Sequence, residues 1–415
     1  ASDAGGFGDD GDESIIKCGS YTGNGGTQEI NLGFEPQWIM FKNTTSAASW
    51  AIFDVMRGMV VDGNDNRLNA ESSGAEYTAT NYVHPTPTGV QLENSASITN
   101  TSGATYIYIA IRRPMKTPES GTEVFKPTAA ASFDPYSVGF PTDLFLAAIR
   151  SGNAINFLAS DRLRGSTKYL TTSSTGSEQT DGGGIAQFDL QNNFDQGLSS
   201  SSQIRYNFKR ATGFFDVVAY TGDGVAGRTV NHSLGVAPEL MIVKVRDSST
   251  WGWAVYAKPL GTGILQLQDN GDYVSTADWF NNTHPTDSVF YVSDQARTNL
   301  SGGSLIAYLF ASVAGVSKVG SYTGTGADLN VDCGFSAGAR FVLIKRTDST
   351  GDWYVYDSVR GIVAGNDPYL LLNSTAAEVT STDYIDPLAS GFTVTSSAPA
   401  ALNASGGTYI FLAIA

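Results

Sequence analysis

Self-similarity constrains this chain more than any other feature. The segment KCGSYTGNGGTQEINLGFEPQWIMFKN, starting at Lys17, returns as VVAYTGDGVAGRTVNHSLGVAPELMIVKVRD at Val217 and as KVGSYTGTGADLNVDCGFSAGARFVLIKRTD at Lys318. Each copy carries Tyr-Thr-Gly-x-Gly (Tyr21, Gly23 and Gly25 in the first, opened by Tyr220 and Tyr322 in the others), a later Gly, and an apolar run ending in Lys. A diverged fourth copy, DPYSVGFPTDLFLAAIRSG from Asp134, keeps the Gly, the apolar run and a terminal Arg150 but lacks the turn. Such a chain must build one supersecondary unit several times and stack the copies, since 415 residues exceed what one compact core holds.

A second block follows in every copy: WAIFDVMRG at Trp50, FLASDRLRG at Phe157, WAVYAKPLG at Trp253 and WYVYDSVRG at Trp353. A third opens on Asn100, Asn299 and Asn403 as NTSGATYIYIAIR, NLSGGSLIAYLFA and NASGGTYIFLAIA, with SSSSQIRYNFKR as its reduced counterpart in the second copy. Trp50 to Asn100 and Trp353 to Asn403 both span 50 positions, and Trp253 to Asn299 spans 46. Runs such as WYVYD and TYIYIAI are β-branched and aromatic with period two, which predicts strands, while the Gly- and Asn-containing segments between them predict turns. The fold class expected is all-β, as tandem antiparallel β-sandwich units. The expected organisation is an acidic Gly-rich tail at 1–16, a first unit at 17–113 and a linker at 114–132 marked by Pro114, Pro118 and Pro127. A degenerate second unit at 133–213, a third at 214–315 and a fourth at 316–415 follow.

Charge narrows the partners. With 25 basic against 40 acidic residues the net charge is −15, which repels phosphate backbones and anionic membrane surfaces, so no nucleic-acid partner is expected. No apolar run approaches the ~20 residues that span a bilayer, and the opening ASDAGGFGDDGDES has neither the basic nor the apolar region of a signal peptide, so a soluble chain without membrane insertion is expected. Cys18 and Cys333 are too few for a disulfide framework and lack metal-ligand spacing; both are expected to stay reduced.

Several patterns suggest chemistry, and each also has a structural role open to it. Gly222, Gly224 and Gly227 match G-x-G-x-x-G after a strand-like run, but RTVNHSLGVAP beyond them has no helical period, so a dinucleotide site is not expected. Asp-x-x-Arg-Gly recurs as Asp54, Arg57, Gly58, as Asp161, Arg164, Gly165, and as Asp357, Arg360, Gly361; the third unit has Ala257, Leu260 and Gly261 instead. Duplication followed by loss in one unit fits a turn-fixing ion pair better than catalysis. His84 and His284 share a His-Pro-Thr context, replaced by Asp386-Pro387 in the fourth unit, and with His232 they make no zinc set. Asp62-Gly63-Asn64-Asp65-Asn66 and Asn366-Asp367 offer oxygen donors of the kind calcium takes, without the EF-hand spacing. No cofactor is expected, and no nucleophile elbow or Cys/His pairing points to an enzyme.

The blocks HSLGVAPELMIVKVRD, WAVYAKPLG, FVLIKRTDSTGDWYVYDSVRG and NASGGTYIFLAIA resemble a repeat of tail-fibre and other virion-associated proteins of bacteriophages. The resemblance covers nearly the whole chain and implies jelly-roll sandwiches similar to concanavalin-like lectin and laminin-G domains, a location on the virion surface, and no catalytic residues. It implies a tail-fibre or receptor-binding component, a homo-oligomer that meets other virion proteins and host cell-surface polysaccharide. Trp279, Phe280 and Tyr384 are the candidates for stacking on sugar faces. A capsid decoration or head-fibre protein and a polysaccharide-degrading enzyme are the alternatives.

Overall fold

A computed structural model of the chain describes residues 14–129, 136–150, 157–180, 188, 193–194, 202–275 and 278–415. Residues Asp9 to Glu13 of the expected tail lie outside the described residues, and Ile16 already opens the first strand.

The chain folds as tandem antiparallel β-sandwich units. In the fourth unit, Ser317–Thr323 pairs with the last strand, Thr408–Ile414. Phe341–Arg346 lies on that strand's other side, followed by Trp353–Asp357 and Leu370–Leu371 in one five-stranded sheet. A smaller sheet is formed by Leu329–Asp332, Gly391–Val394 and Ile385–Leu388. First pairs with last and second with penultimate, as in a jelly roll, while the middle strands run as a meander. The first unit repeats this order with one more strand, Tyr77–Thr80, at the edge of its large sheet.

The repeated residues explain the corner between the sheets. The hydroxyls of Tyr21, Tyr220 and Tyr322 donate to the carbonyls of Thr99, Thr298 and Leu402, each one residue before the repeated Asn. That Asn then clamps the turn: Asn299 Nδ2 donates to the Val225 and Ser293 carbonyls, and its Oδ1 accepts from the Asp223 amide. The first Gly of the turn is required by close approach. A Cβ on Gly23, Gly222 or Gly324 would lie 2.4, 2.1 or 2.3 Å from the carbonyl oxygen of Thr101, Leu300 or Ala404. Two residues on, Gly25, Gly224 and Gly326 take φ of 77°, 70° and 72°, the left-handed region that side chains disfavour.

The expected linker at 114–132 does not hold as such through its second half. Gly121–Glu123 forms a 3₁₀ turn, and Phe125–Ala129 is an edge strand of the second unit's large sheet, paired with Gln203–Phe208. Pro127 is tolerated because an edge strand has one side without ladder partners. Phe125 ties the strand to the core, fully buried against Phe208 and Phe341.

The second, third and fourth units share one apolar core. It joins Phe125, Tyr206 and Phe208 of the second unit, Leu240, Ile242, Trp253 and Phe310 of the third, and Phe341, Leu343, Trp353 and Leu412 of the fourth. At its centre lies a wholly apolar void of about 30 Å³, lined by Leu146, Tyr206, Ile242, Phe310, Leu343 and Leu412 among others. The last strands of these three units are accordingly buried on both faces, from Gln203–Phe208 through Ser304–Phe310 to Thr408–Ile414. In the first unit, Thr105–Arg112 alternates instead between buried and exposed residues. That unit docks on the others through ion pairs: Glu35 to Arg210 at 2.8 Å, Arg113 to Asp216 at 3.2 Å and Asp62 to Arg246 at 2.8 Å.

Candidate functional site

The Asp-x-x-Arg-Gly elements sit where one unit meets the next. Each follows the second strand of the meander and turns sharply, with φ of 112° at Gly58, 84° at Gly165 and 126° at Gly361. Within each element the Asp carboxylate accepts from the Arg backbone amide, at 2.8 Å for Asp54–Arg57, 3.0 Å for Asp161–Arg164 and 2.9 Å for Asp357–Arg360. Its second oxygen accepts from the Arg Nε. A third member closes the set: Arg57, Arg164 and Arg360 each donate through Nη1 to a glutamate, Glu76, Glu178 and Glu378.

A tyrosine from a neighbouring unit completes two of these three sets. Tyr308 Oη of the third unit donates to Asp161 Oδ2 at 2.8 Å and accepts from Arg164 Nη2 at 2.9 Å. Tyr206 Oη of the second unit does the same for Asp357 and Arg360 of the fourth, at 2.8 and 3.0 Å. Strand register makes these tyrosines equivalent: Tyr206 faces Leu146, Tyr308 faces Ile242, and Leu412 faces Leu343 in the fourth unit. The third junction is therefore apolar on both sides, with Ala257 and Leu260 of the third unit and Leu412 of the fourth in the common core.

Backbone contacts repeat at all three junctions. The amides of Glu178, Tyr273 and Glu378 donate to the carbonyls of Arg246, Thr347 and Arg150, so the second unit binds the third, the third the fourth, and the fourth the second. The ring nitrogens of Trp253 and Trp353 cross in the opposite sense to the Thr171 and Gln266 carbonyls, both at 3.0 Å. Phe157 stands at the corresponding place in the second unit and cannot donate; there the Thr172 hydroxyl reaches the Leu372 carbonyl. Head-to-tail contacts that return to their start close a ring, here with threefold pseudosymmetry.

The surroundings favour the charged form of both latch arginines. Burial alone lowers the Arg164 and Arg360 values, but Asp161, Tyr308 and Glu178 around the first, and Tyr206, Asp357 and Glu378 around the second, reverse this and raise both above the usual guanidinium value. Burial also pushes Tyr206 and Tyr308 well above the usual phenol range, so both stay protonated and able to donate. Lys244 and Lys345, which end the apolar run of the repeat, are driven down to about 8 by burial, and Lys345 Nζ reaches across the junction to the Asn270 and Gly271 carbonyls.

The remaining sequence candidates are dispersed. Phe280 is wholly buried in the third unit's inner core and offers no face to a ligand, which corrects its assignment as a sugar-stacking residue; its ring packs edge-on to Tyr256 instead. Trp279 is half-buried with the Arg297 guanidinium over its ring, and Tyr384 stacks on Tyr369. The oxygen-rich loops spend their inner carboxylates on backbone: Asp65 accepts from the amides of Val60, Tyr82 and Val83, and Asp367 from those of Val363, Tyr384 and Ile385. Burial lifts them to about 7 and about 6 despite those bonds. His84 is engaged with Glu93 and the Asp62 amide, His232 with Leu234 and Thr286, and His284 with Tyr256. Gly222 to Gly227 leads into the strand Arg228–Asn231. Cys18 and Cys333 are free thiols, one exposed and one buried.

A cleft of about 310 Å³ lies between the first and second units, lined by Arg57, Arg162, Arg164 and Lys168 among others. Each of these cations already faces a carboxylate: Asp54, Asp143, Asp161 and Glu178. Sequence inspection missed the glutamates because their distance from the Arg changes from unit to unit, from Arg57 to Glu76, Arg164 to Glu178 and Arg360 to Glu378. It missed the tyrosines because they belong to another copy.

Fold and site together define an array of β-sandwich repeats in which three copies close a latched ring and a fourth is docked beside it. Residues 13–114 and 199–415 match the family model described as a domain of unknown function, DUF7483, and the chain belongs to that family. The matched stretches omit most of the second unit, the copy that diverges furthest in sequence. Curated proteins contain no match to the chain.

Proposed function

We propose that the chain is a non-enzymatic structural component of a bacteriophage virion, exposed at the particle surface as a tail-fibre or receptor-binding element. One observation supports the structural part of this reading. The side chains that the repeat holds constant are committed to corners and latches: the Tyr-Thr-Gly turn, the clamping Asn and the Asp-Arg-Glu set all hold backbone or neighbouring units. The virion setting rests on the resemblance of the repeat blocks. Recognition of host polysaccharide or of other virion proteins then falls to loops that differ between units. Repeated modules suit such contacts, because weak single sites gain avidity when several engage together. Antibody labelling of intact particles by electron microscopy is expected to mark the outside of the particle, and unlabelled particles would overturn the virion assignment. A glycan array with whole-cell pull-down tests adhesion, and absence of binding in both would remove that part.

A further inference from the structure

We propose that the outer face of the first unit's large sheet joins three copies of this chain, three first units closing between chains the ring that the second, third and fourth units close within one. The last strand carries the main argument. TYIYIAI at 105–111 is as apolar on both faces as TYIFLAI at 408–414, the pattern of a strand covered on both sides. In the fourth unit the outward Ile410 and Leu412 are each 3% exposed, but the equivalent Ile107 and Ile109 are 41% and 38% exposed. Equivalence follows from register, since Ile109 faces Met40 as Leu412 faces Leu343. Leu68 and Ile16 extend the exposed stripe, whereas Leu265 and Leu370, which occupy the place of Leu68 in the other units, are buried.

The first unit also retains the parts of the junction. Asp54, Arg57 and Glu76 are arranged as in the buried latches, with Arg57 bonded to Asp54 at 2.6 Å and Glu76 at 2.7 Å. The Arg57 side chain nevertheless stays a quarter exposed, where that of Arg360 is wholly buried. Trp50 occupies the place of Trp253 and Trp353 but is only half-buried, and its ring N–H meets no acceptor among the described residues. In a ring of first units that N–H would reach the Asn69 carbonyl of the adjacent copy, the equivalent of Thr171 and Gln266.

The occupant follows from the ring inside the chain. The second, third and fourth units already saturate one another, so the same surface of the first unit can be covered in this way only by other chains. Identical units joined head to tail at the angle of the internal ring close after three. Ile109 stands in the place of the latch tyrosine, so in this ring Asp54, Arg57 and Glu76 satisfy one another without a phenol, at the quarter-exposed rim, and the ring rests on apolar burial of Ile107, Ile109, Leu68 and Ile16.

The test is the mass of the full chain by sedimentation velocity over a range of micromolar concentrations, for the parent and for Ile109→Lys. The parent is expected at three times the chain mass and the variant at one, a threefold drop. Both should keep the same far-UV spectrum and melting temperature after dilution to monomer, because the side chain is already exposed within one chain. Ile16→Glu, at a still more exposed position, provides a second variant with the same expected outcome. Cys18 reports on which face is used: its strand neighbours in the other units, Val217 and Val319, are buried in the ring core, and Cys333 is buried with its thiol pushed up to about 12. Thiol labelling of Cys18 should therefore be slow in the parent and fast in Ile109→Lys. A parent that is monomeric or dimeric throughout, or a trimer that persists in both variants with Cys18 freely labelled, would overturn the proposal.

Discussion

The two charged latches and the apolar third junction form an experiment within one molecule, and transplanting one onto another tests how the ring is held. In Arg164→Leu, Asp161 remains wholly buried and loses its guanidinium partner, keeping the Tyr308 hydroxyl and one backbone amide. An uncompensated buried charge of this kind costs about 3–5 kcal/mol. In Asp161→Ala/Arg164→Leu/Tyr308→Leu the junction acquires the residues found at the third, namely Ala257, Leu260 and Leu412. Replacing a buried ion pair by apolar groups is often close to neutral, so the triple variant is expected to lose under about 2 kcal/mol, the residue being the smaller volume of Leu at position 308. Glu178 stays compensated in both variants by Arg246 and Lys168. Tyr308→Phe, which removes only the phenol that bonds Asp161 and Arg164, should fall near 1.5–3 kcal/mol. Urea unfolding supplies the free energies by linear extrapolation. Trp253 fluorescence reports on the same junction, because its ring N–H crosses to Thr171. A triple variant as unstable as Arg164→Leu, or more so, would refute the view that the charged and apolar junctions are alternative solutions to one packing problem.

Other consequences follow from the corner and from a buried imidazole. Asn299→Ala leaves the buried Ser293 carbonyl and the more exposed Val225 carbonyl without their donor and should cost about 1–3 kcal/mol in thermal or urea unfolding; a loss below ~0.5 kcal/mol would show that the clamp is dispensable. Gly222→Ala sets a methyl group 2.1 Å from the Leu300 carbonyl oxygen, whereas Gly26→Ala meets only a side-chain oxygen at 3.9 Å. The first should therefore destabilise by several-fold more than the second, and equal melting temperatures would contradict the close approach. Burial lowers the His232 pKa below its unfolded value near 6.5, so its contribution to stability is full above that pH and is lost as pH falls below it. Protonation at Nδ1 also breaks the bond accepted from the Leu234 amide. His232→Asn should flatten the dependence of unfolding free energy on pH below about 6.5 relative to the parent, and an unchanged slope would exclude His232 as its source.

The units were legible in the sequence wherever local chemistry decides the outcome. Tyr-Thr-Gly-x-Gly needs a tight approach and a left-handed glycine, both properties of a few adjacent residues, and so the corner could be read from Gly23 and Gly25 alone. Asp and Arg three apart satisfy each other within one turn, and that pairing too is local. Phe125 was hidden because Pro127 two residues on suggests a linker, and only the aromatic contacts with Phe208 and Phe341 show why the segment becomes a strand. The ring was not legible for a related reason. Tyr206 lies 154 positions from Arg360 and Tyr308 lies 144 from Arg164, so their coupling appears only when copies are superposed and then compared across a junction. The one sequence signal of the ring was the excess of apolar residues on both faces of the last strands, which a single sandwich with one solvated face does not require.

Superposition of the copies also gives the third unit's divergence a physical cause. Read alone, Ala257 and Leu260 are losses from a motif that the other units keep. Placed in the ring, they face the unit that carries Leu412 where its neighbours carry Tyr206 and Tyr308, so both sides of one junction are apolar. The order of units is then encoded in the junctions. Exchanging the third and fourth units would set Asp161 and Arg164 against Leu412, a surface without a phenol, and the Tyr206 hydroxyl against Ala257 and Leu260, where it would be buried with no partner. Either mismatch leaves buried polar groups unsatisfied at about 1–3 kcal/mol each, whereas each native junction satisfies or removes them. A ring assembled from interchangeable copies would have no such preference. Two charged junctions and one apolar junction restrict the second, third and fourth units to one cyclic order.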